Sequence, residues 1–429
     1  MKLATALFLL AAAALPAQDR HVIVISIDGF PAYALEDPKL PIPTLRQLAA
    51  AGAVARGMHT INPTVTWPNH TAMVTGVNGS IHQVLFNGKL VRTTPTAAPH
   101  IEPWLDKAEM VHAPTVYDLA YRAGLSTAQV DWVAITNPGT ITWEFPERPA
   151  LKGVVEREMI AAGEATESEI LEFHRSSGAW RDQMWTRAAA FITQKHKPNL
   201  GLYHLLNLDS THHTYGPRTP AGFTGIAFAD GKVKEIVDAV RASGTLEQTT
   251  FIIVSDHGFK TVKKSIRAAV AVKQAGIDGV TVIPEGGTAL VYIQKPADRA
   301  PTGPRLKELF ARTEGVARVY TPAEYGELGL PTPQQSDQAP DLVLAAANTY
   351  SFAGGSEGPL IHDVIQGGSH GYVSSDPEMD ALFIASGRGI RRGIKLDTVR
   401  NVDVAPTIAV LLGIKMEGVQ GRPLAAVLE

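Results

Sequence analysis

His21-Val-Ile-Val-Ile-Ser-Ile27 runs directly into Asp28-Gly29. Its Val and Ile positions show no polar–apolar alternation, which reads as a strand buried on both faces of a sheet. Two further runs share the form. Gly201–Leu208 leads into Asp209, and Thr250–Ser255 leads into Asp256-His257-Gly258. In open α/β sheets, ligands sit just beyond the carboxyl ends of strands. Three carboxylates delivered to that place point to a metal site. Helix-like segments separate the strand-like ones. Ile42–Ala51 stops at Gly52, Thr115–Ala123 passes through Gly124 to a strand over Thr127–Val133, and Gly225–Ala242 precedes the Thr250 run. Ala381–Ala385 reads as another buried strand, and Asp403 as the cap of an amphipathic helix that ends at Gly413. This alternation predicts an α/β fold with a mostly parallel central sheet and helices on both faces.

Two stretches fit that core less well. Leu90–Ala113 is rich in Pro, Thr and Ala. The region from about 276 to 362 carries strands of its own, Thr288–Ile293 and Leu342–Ala346, among many Pro and Gly residues. We expect it to be a smaller inserted subdomain that covers or shapes the site, within one catalytic domain over residues 18–429.

The chain has 429 residues, 45% hydrophobic and 19% charged, as in an ordinary soluble enzyme. A net charge of −3 gives no basic footprint for nucleic acid. Residues 1–17 carry one lysine, an apolar stretch and a small residue at Ala17, the form of a signal peptide, so an exported protein is expected, periplasmic or secreted. No later segment reads as transmembrane. There is no cysteine, which excludes disulfides, thiolate ligands and a catalytic thiol. Any transition metal must use His, Asp, Glu or a hydroxyl, a set zinc accepts.

Other positions can complete such a site. Asp209 and His213 are four residues apart and fall on one side of a loop or first helical turn, with His212 as the competing imidazole. Gly258 allows a sharp turn after Asp256-His257. His370 lies in a glycine loop, Gly367-Gly-Ser-His370-Gly371. Thr66 precedes Trp67-Pro68 and an apolar run, so it is expected just before a helix, where N–H groups and the dipole favour anions. Thr64 is a rival nucleophile on composition alone. Asn87-Gly88 reads as a turn.

In this order the motifs resemble the nucleotide pyrophosphatase/phosphodiesterase family of the alkaline phosphatase superfamily. The strongest are Thr66-Trp-Pro-Asn-His70, Asp209-x-x-x-His213-x-Tyr-Gly-Pro217, Ser255-Asp-His-Gly258 and Ser369-His-Gly371. The resemblance spans nearly the whole mature chain and implies an alkaline-phosphatase-like fold. It also implies two zinc ions, one held by Asp28, Asp256, His257 and the Thr66 oxygen, the other by Asp209, His213 and His370. Thr66 would be the nucleophile of a phosphodiesterase acting on a small phosphodiester or nucleotide, through a phospho-threonine. Asn87 would be an oxyanion donor and Trp67 a stacking surface for the substrate. Three positions depart from the family pattern: Asn207-Leu208 stands where Glu-Pro is usual, His204 where an aromatic often helps sandwich a base, and His212 where a glycine precedes the metal histidine. A phosphomonoesterase or phosphonate hydrolase on the same scaffold is the alternative, with Lys89 and Arg92 as the nearest basic residues. A non-catalytic binding protein is disfavoured because every expected position is filled. A sulfatase is disfavoured because Thr66 stands where its modified Cys or Ser would be.

Overall fold

The first strand, β1 (His21–Ile27), lies inside an eight-stranded sheet of a computed structural model that describes residues 19–429. The expected signal peptide lies outside the described residues. The other strands are β2 (Ala53–His59), β3 (Thr127–Val130), β4 (Trp143–Phe145), β5 (Leu200–Leu205), β6 (Thr249–Val254), β7 (Phe383–Gly387) and β8 (Ile394–Arg400). Their order is β8-β2-β7-β6-β1-β5-β3-β4. All pairs are parallel except those made by β7, which runs against β2 and β6.

The lack of alternation in β1 has its explanation in two apolar layers. Ile23, Ile25 and Ile27 face a cluster with Trp185, Ile192, Val233 and Ile236, supplied by helices that span Gly178–His196 and Pro220–Ser243. Val22 and Val24 face the opposite cluster, with Val116, Tyr117, Ile408 and Leu412 from helices Val116–Arg122 and Val404–Leu412. Each of these β1 side chains is at most 1% exposed, so each contributes roughly 1.5–3 kcal/mol of burial.

Several boundaries differ from the sequence reading. The strand expected over 127–133 stops at Val130, because Asp131 and Ala134 take left-handed backbone angles (φ 54° and 53°) that leave the sheet. The strand expected over 201–208 stops at Leu205, and a helix, Asn207–Tyr215, begins two residues on. The strand at 381–385 sits two residues later. The long helix starts at Pro220 instead of Gly225, with Thr219 accepting from the Gly222 N–H as its cap. Asp403 is not a side-chain cap. It lies in a short 3-10 turn, and its carboxylate accepts from the Arg400 guanidinium and the Arg422 N–H.

Residues 280–346 contribute a separate four-stranded antiparallel sheet, ordered Val280–Glu285, Thr288–Ile293, Leu342–Ala346, Val316–Tyr320. One face packs on Leu306 and Phe310 of helix Arg299–Ala311. The other face presents Leu290, Tyr292 and Val343 to Leu85, Phe86 and Leu90. Gln338 grips Leu90 at both its N–H (2.7 Å) and its carbonyl (3.0 Å). This sheet thus braces the segment that carries Asn87.

Candidate active site

Three adjacent strands, β5, β1 and β6, end beside one another. Ile27 pairs with Leu205 and Ser26 with Val254, and the Asp28 N–H donates to the Leu205 carbonyl at 2.9 Å. Asp28 and Asp256 leave their strands directly. Asp209 instead occupies the first turn of helix Asn207–Tyr215, whose N-cap, Leu206, has no side-chain oxygen to give. Asp182 replaces that cap, accepting from the N–H groups of Leu206 (2.9 Å) and Asn207 (3.1 Å).

The histidines converge on these carboxylates. His213 Nε2 lies 3.4 Å from Asp209 Oδ1, one helical turn away, and His370 Nε2 lies 3.6 Å from the same oxygen. His257 Nε2 is 3.1 Å from Asp256 Oδ2 and 3.4 Å from Asp28 Oδ1. The His257 and His370 rings stack at 3.7 Å between centroids. Two candidate metal groups result, Asp209/His213/His370 and Asp28/Asp209/His257, with Asp209 common to both. His212 turns away and meets the Gly29 carbonyl at 3.2 Å.

The donor atoms fit cations by two observations. Asp28 Oδ1, Asp209 Oδ1, Asp256 Oδ2 and His257 Nε2 are buried without a hydrogen-bond partner, an expensive state for polar atoms unless something else binds them. In addition, Nδ1 of His257, His370 and His213 faces a backbone carbonyl, that of Gly258 (3.0 Å), Thr64 (2.9 Å) and Gly368 (3.3 Å). A carbonyl can only accept, so Nδ1 carries the hydrogen, and in a neutral ring, as at His257 and His370, Nε2 then presents a lone pair, the tautomer a ligating imidazole needs. Burial pushes His257 down to about 4 and His370 down to about 3, so both are neutral. Asp28 is driven well above the carboxylate range by burial, then by Asp256 and Asp209. Burial acts the same way on Asp209, but the His213 imidazole outweighs it and holds the carboxyl below its usual range. Mutually repelling carboxylates with orphaned oxygens are what a bound cation would relieve.

Thr66 is the first residue of helix Thr66–Thr75 instead of the residue before it, and Val65 takes the cap position with no side-chain bond. Thr66 lines a cavity of about 280 Å³ together with Trp67, Asn87, Asp209, His213 and His370. Thr64 is a strut: its hydroxyl donates to the Tyr372 carbonyl at 2.7 Å, and its own carbonyl orients His370. Asn87 Oδ1 accepts from the Trp67 N–H at 3.0 Å. That commits the oxygen end of the amide and leaves its NH₂ for a ligand. Trp67 packs edge-on to Trp104, and both also border a second cavity of about 400 Å³. Lys89 and Arg92 do not line the Thr66 cavity. Lys89 donates to the Glu109 carbonyl and Arg92 lies over the Tyr292 ring.

Gly258 plays a different part from the expected turn. Its φ is not left-handed. A Cβ there would lie 2.0 Å from the Glu378 carbonyl oxygen, so the residue is required for close backbone approach.

Sequence reasoning missed Asp131 and the contact of His204 with Asp28. His204 Nε2 lies 3.1 Å from Asp28 Oδ2, and its Nδ1 lies 3.0 Å from the Asp131 carbonyl. Asp131 stands directly after β3, so the strand-end rule would have found it had the strand not been read through to Val133.

A family model described as type I phosphodiesterase/nucleotide pyrophosphatase matches residues 22–373. The chain belongs to this phosphodiesterase family. It is similar to ectonucleotide pyrophosphatase/phosphodiesterase family member 7 of Rattus norvegicus, 24% identical over 95% of this chain and 86% of that protein. Another similar protein is the bis(5'-adenosyl)-triphosphatase ENPP4 of Bos taurus, 21% identical over 92% of this chain and 78% of that one. Murine ectonucleotide pyrophosphatase/phosphodiesterase 5 superposes with a TM-score of 0.73 at 18% identity, covering 96% of this chain and 100% of its own. An inactive variant of that protein has been solved with AMP. The fold is therefore alkaline-phosphatase-like, and the phosphodiesterase chain is a hydrolase of phosphoester bonds. Among the described residues, no helix is long and apolar enough to cross a membrane.

Proposed function

We propose that this chain is an exported, zinc-dependent phosphodiesterase that cleaves small phosphodiesters or the phosphoanhydride links of nucleotides through a phospho-threonine at Thr66. The observation that carries this reading is the set of orphaned ligand atoms on Asp28, Asp209, Asp256 and His257, of which Asp209 lines the Thr66 cavity. One ion would be held by Asp28, Asp256, His257 and the Thr66 hydroxyl, the other by Asp209, His213 and His370, with Asp209 within reach of both. Imidazole and carboxylate donors with no thiolate suit zinc. Two zinc ions, when bound, would supply Lewis acidity at the entering and leaving oxygens of an in-line displacement.

The chain's own groups account for the rest. Thr66 Oγ1 attacks phosphorus and the bond to the leaving oxygen breaks. Water later releases the phosphoryl product from Thr66. The Asn87 NH₂ donates to a non-bridging phosphate oxygen, a contact worth several kcal/mol where charge develops. Trp67 offers a flat apolar surface to a base or ester group. No lysine or arginine lines the cavity, which suits a diester over a monoester with its extra negative charge. In this reading residues 1–17 are a leader, and about 276–362 are an insertion in the catalytic domain that braces the Asn87 segment.

The test is acid quenching of steady-state turnover followed by peptide mass spectrometry. A phosphoryl adduct on Thr66 that still carries the substrate's retained ester group (a nucleotidyl group when the substrate is a nucleotide), lost in Thr66→Ala with zinc content retained, supports the proposal. Near-normal turnover by Thr66→Ala would sink it.

A further inference from the structure

Three neighbouring strands, β3, β5 and β1, deliver a chain of polar groups, Asp131, His204 and Asp28, of which the reaction above uses only Asp28. All three are at most 1% exposed. His204 sits in β5 opposite Ser26 of β1, and its Nε2 meets Asp28 Oδ2 at 3.1 Å. On the other side its Nδ1 meets the Asp131 carbonyl at 3.0 Å, with the Asp131 carboxylate also 3.0 Å from that nitrogen. The ring is fixed in plane by His70, edge-on at 4.6 Å, and His70 is itself packed edge-on to Trp132 at 4.8 Å. The two oxygens of Asp28 therefore differ. Oδ2 is occupied by His204, whereas Oδ1 has no hydrogen-bond partner and faces His257 Nε2 at 3.4 Å.

We propose that His204, backed by Asp131, is a positioning residue that fixes Asp28 as a one-oxygen metal ligand. The inference rests on the metal-site reading above. A carboxylate free to rotate can swing away from a cation or chelate it with both oxygens. Oxygens face both ring nitrogens, the Asp131 carbonyl and carboxylate at Nδ1 and Asp28 Oδ2 at Nε2, so both nitrogens carry hydrogen, and the N–H on Oδ2 prevents both motions and aims Oδ1 alone at the site. Partners of ligating carboxylates commonly alter metal affinity by about 10–100-fold when removed. A purely structural role, filling the space beneath the sheet, would tolerate any ring of similar size.

The experiment uses the metal-stripped full chain and does not depend on turnover. Zinc affinity is measured by competition with a chromogenic chelator, and the visible spectrum is recorded with cobalt(II), whose band intensity falls as coordination number rises. Melting of each metal-free variant establishes that it folds. His204→Phe is expected to bind zinc about 10–100-fold more weakly, with weaker cobalt bands. His204→Gln keeps an N–H donor at the position of Nε2 and is expected to recover affinity to within about threefold of the parent. Asp131→Asn keeps the backbone carbonyl and removes the charge, and is expected to fall between them. If folded His204→Phe matches the parent in affinity and spectrum, or if Gln and Phe lose affinity equally, the positioning role is overturned. If His204→Phe does not fold, unchanged affinity in Asp131→Asn overturns it. A parent chain that binds neither ion would remove the metal-site reading itself, and this inference with it.

Discussion

Gly258→Ala should damage the protein although it adds one methyl group. The new Cβ would lie 2.0 Å from the Glu378 carbonyl oxygen and 2.9 Å from that of Asp380. Both obstacles are backbone, so no rotamer change relieves them, and one segment must move by more than about 1 Å to restore ordinary contact. The Gly258 N–H, which donates to Met379 at 2.9 Å, would be drawn off its acceptor. Overpacking costs about 1–3 kcal/mol, and a weakened hydrogen bond adds about 1 kcal/mol. The stiffer unfolded chain returns about 0.4–1 kcal/mol. A net loss of about 1–3.5 kcal/mol follows. His257 precedes the displaced residue, and shifts of about 1 Å in catalytic groups cost roughly 100-fold in rate. Gly231 is the control. It lies inside helix Pro220–Ser243, and a Cβ there meets nothing within 4 Å, so Gly231→Ala should stabilise by about 0.5–1 kcal/mol. Urea unfolding of the metal-free variants and diester turnover after zinc addition read both effects. A Gly258→Ala protein as stable and active as the parent would refute the argument from backbone proximity.

Asp256→Ala and His370→Ala should each lower bound zinc as well as rate, read by elemental analysis after gel filtration, and full occupancy in both would contradict the ligand set. Asn87→Ala removes both the acceptor for the Trp67 N–H and the NH₂ donor, so kcat should fall about 10²–10³-fold with zinc content unchanged. A change confined to KM would mean that Asn87 only binds substrate. Burial pushes His82, far from the metal groups in sequence, down to about 3. Its unfolded value is near 6.5, so between about 6.5 and about 3 the unfolded chain takes up the proton first. Stability of the metal-free protein should therefore be lost as pH falls through that window, and His82→Gln should flatten the urea midpoint against pH. A parent and variant with the same slope would show that His82 does not contribute.

What could be read from sequence followed local chemistry. The β1, β5 and β6 runs were legible because burial on both sheet faces leaves no room for polar alternation, and their ends located Asp28 and Asp256. The Asp209 run was read too long, because apolar Leu206 and Leu208 continue the strand pattern while Asp182, far away in sequence, caps the helix that interrupts it. The purpose of Gly258 was misread because a glycine's need for space depends on Glu378, which no local pattern reveals. In the sequence His204 stands out only as a departure from a family aromatic. Its acidic company comes from β1 and from the residue after β3, and only the sheet order makes them neighbours. The antiparallel direction of β7 likewise has no signature in its own residues.

If a paired metal site beside Thr66 cleaves phosphodiesters, chelating the protein and measuring hydrolysis of bis-p-nitrophenyl phosphate and p-nitrophenyl phosphate with and without added zinc will reveal it. Activity should vanish on chelation, return with zinc and favour the diester. Faster monoester cleavage would contradict this and move the assignment to a phosphatase, and diester cleavage that survives complete metal removal would contradict the metal site.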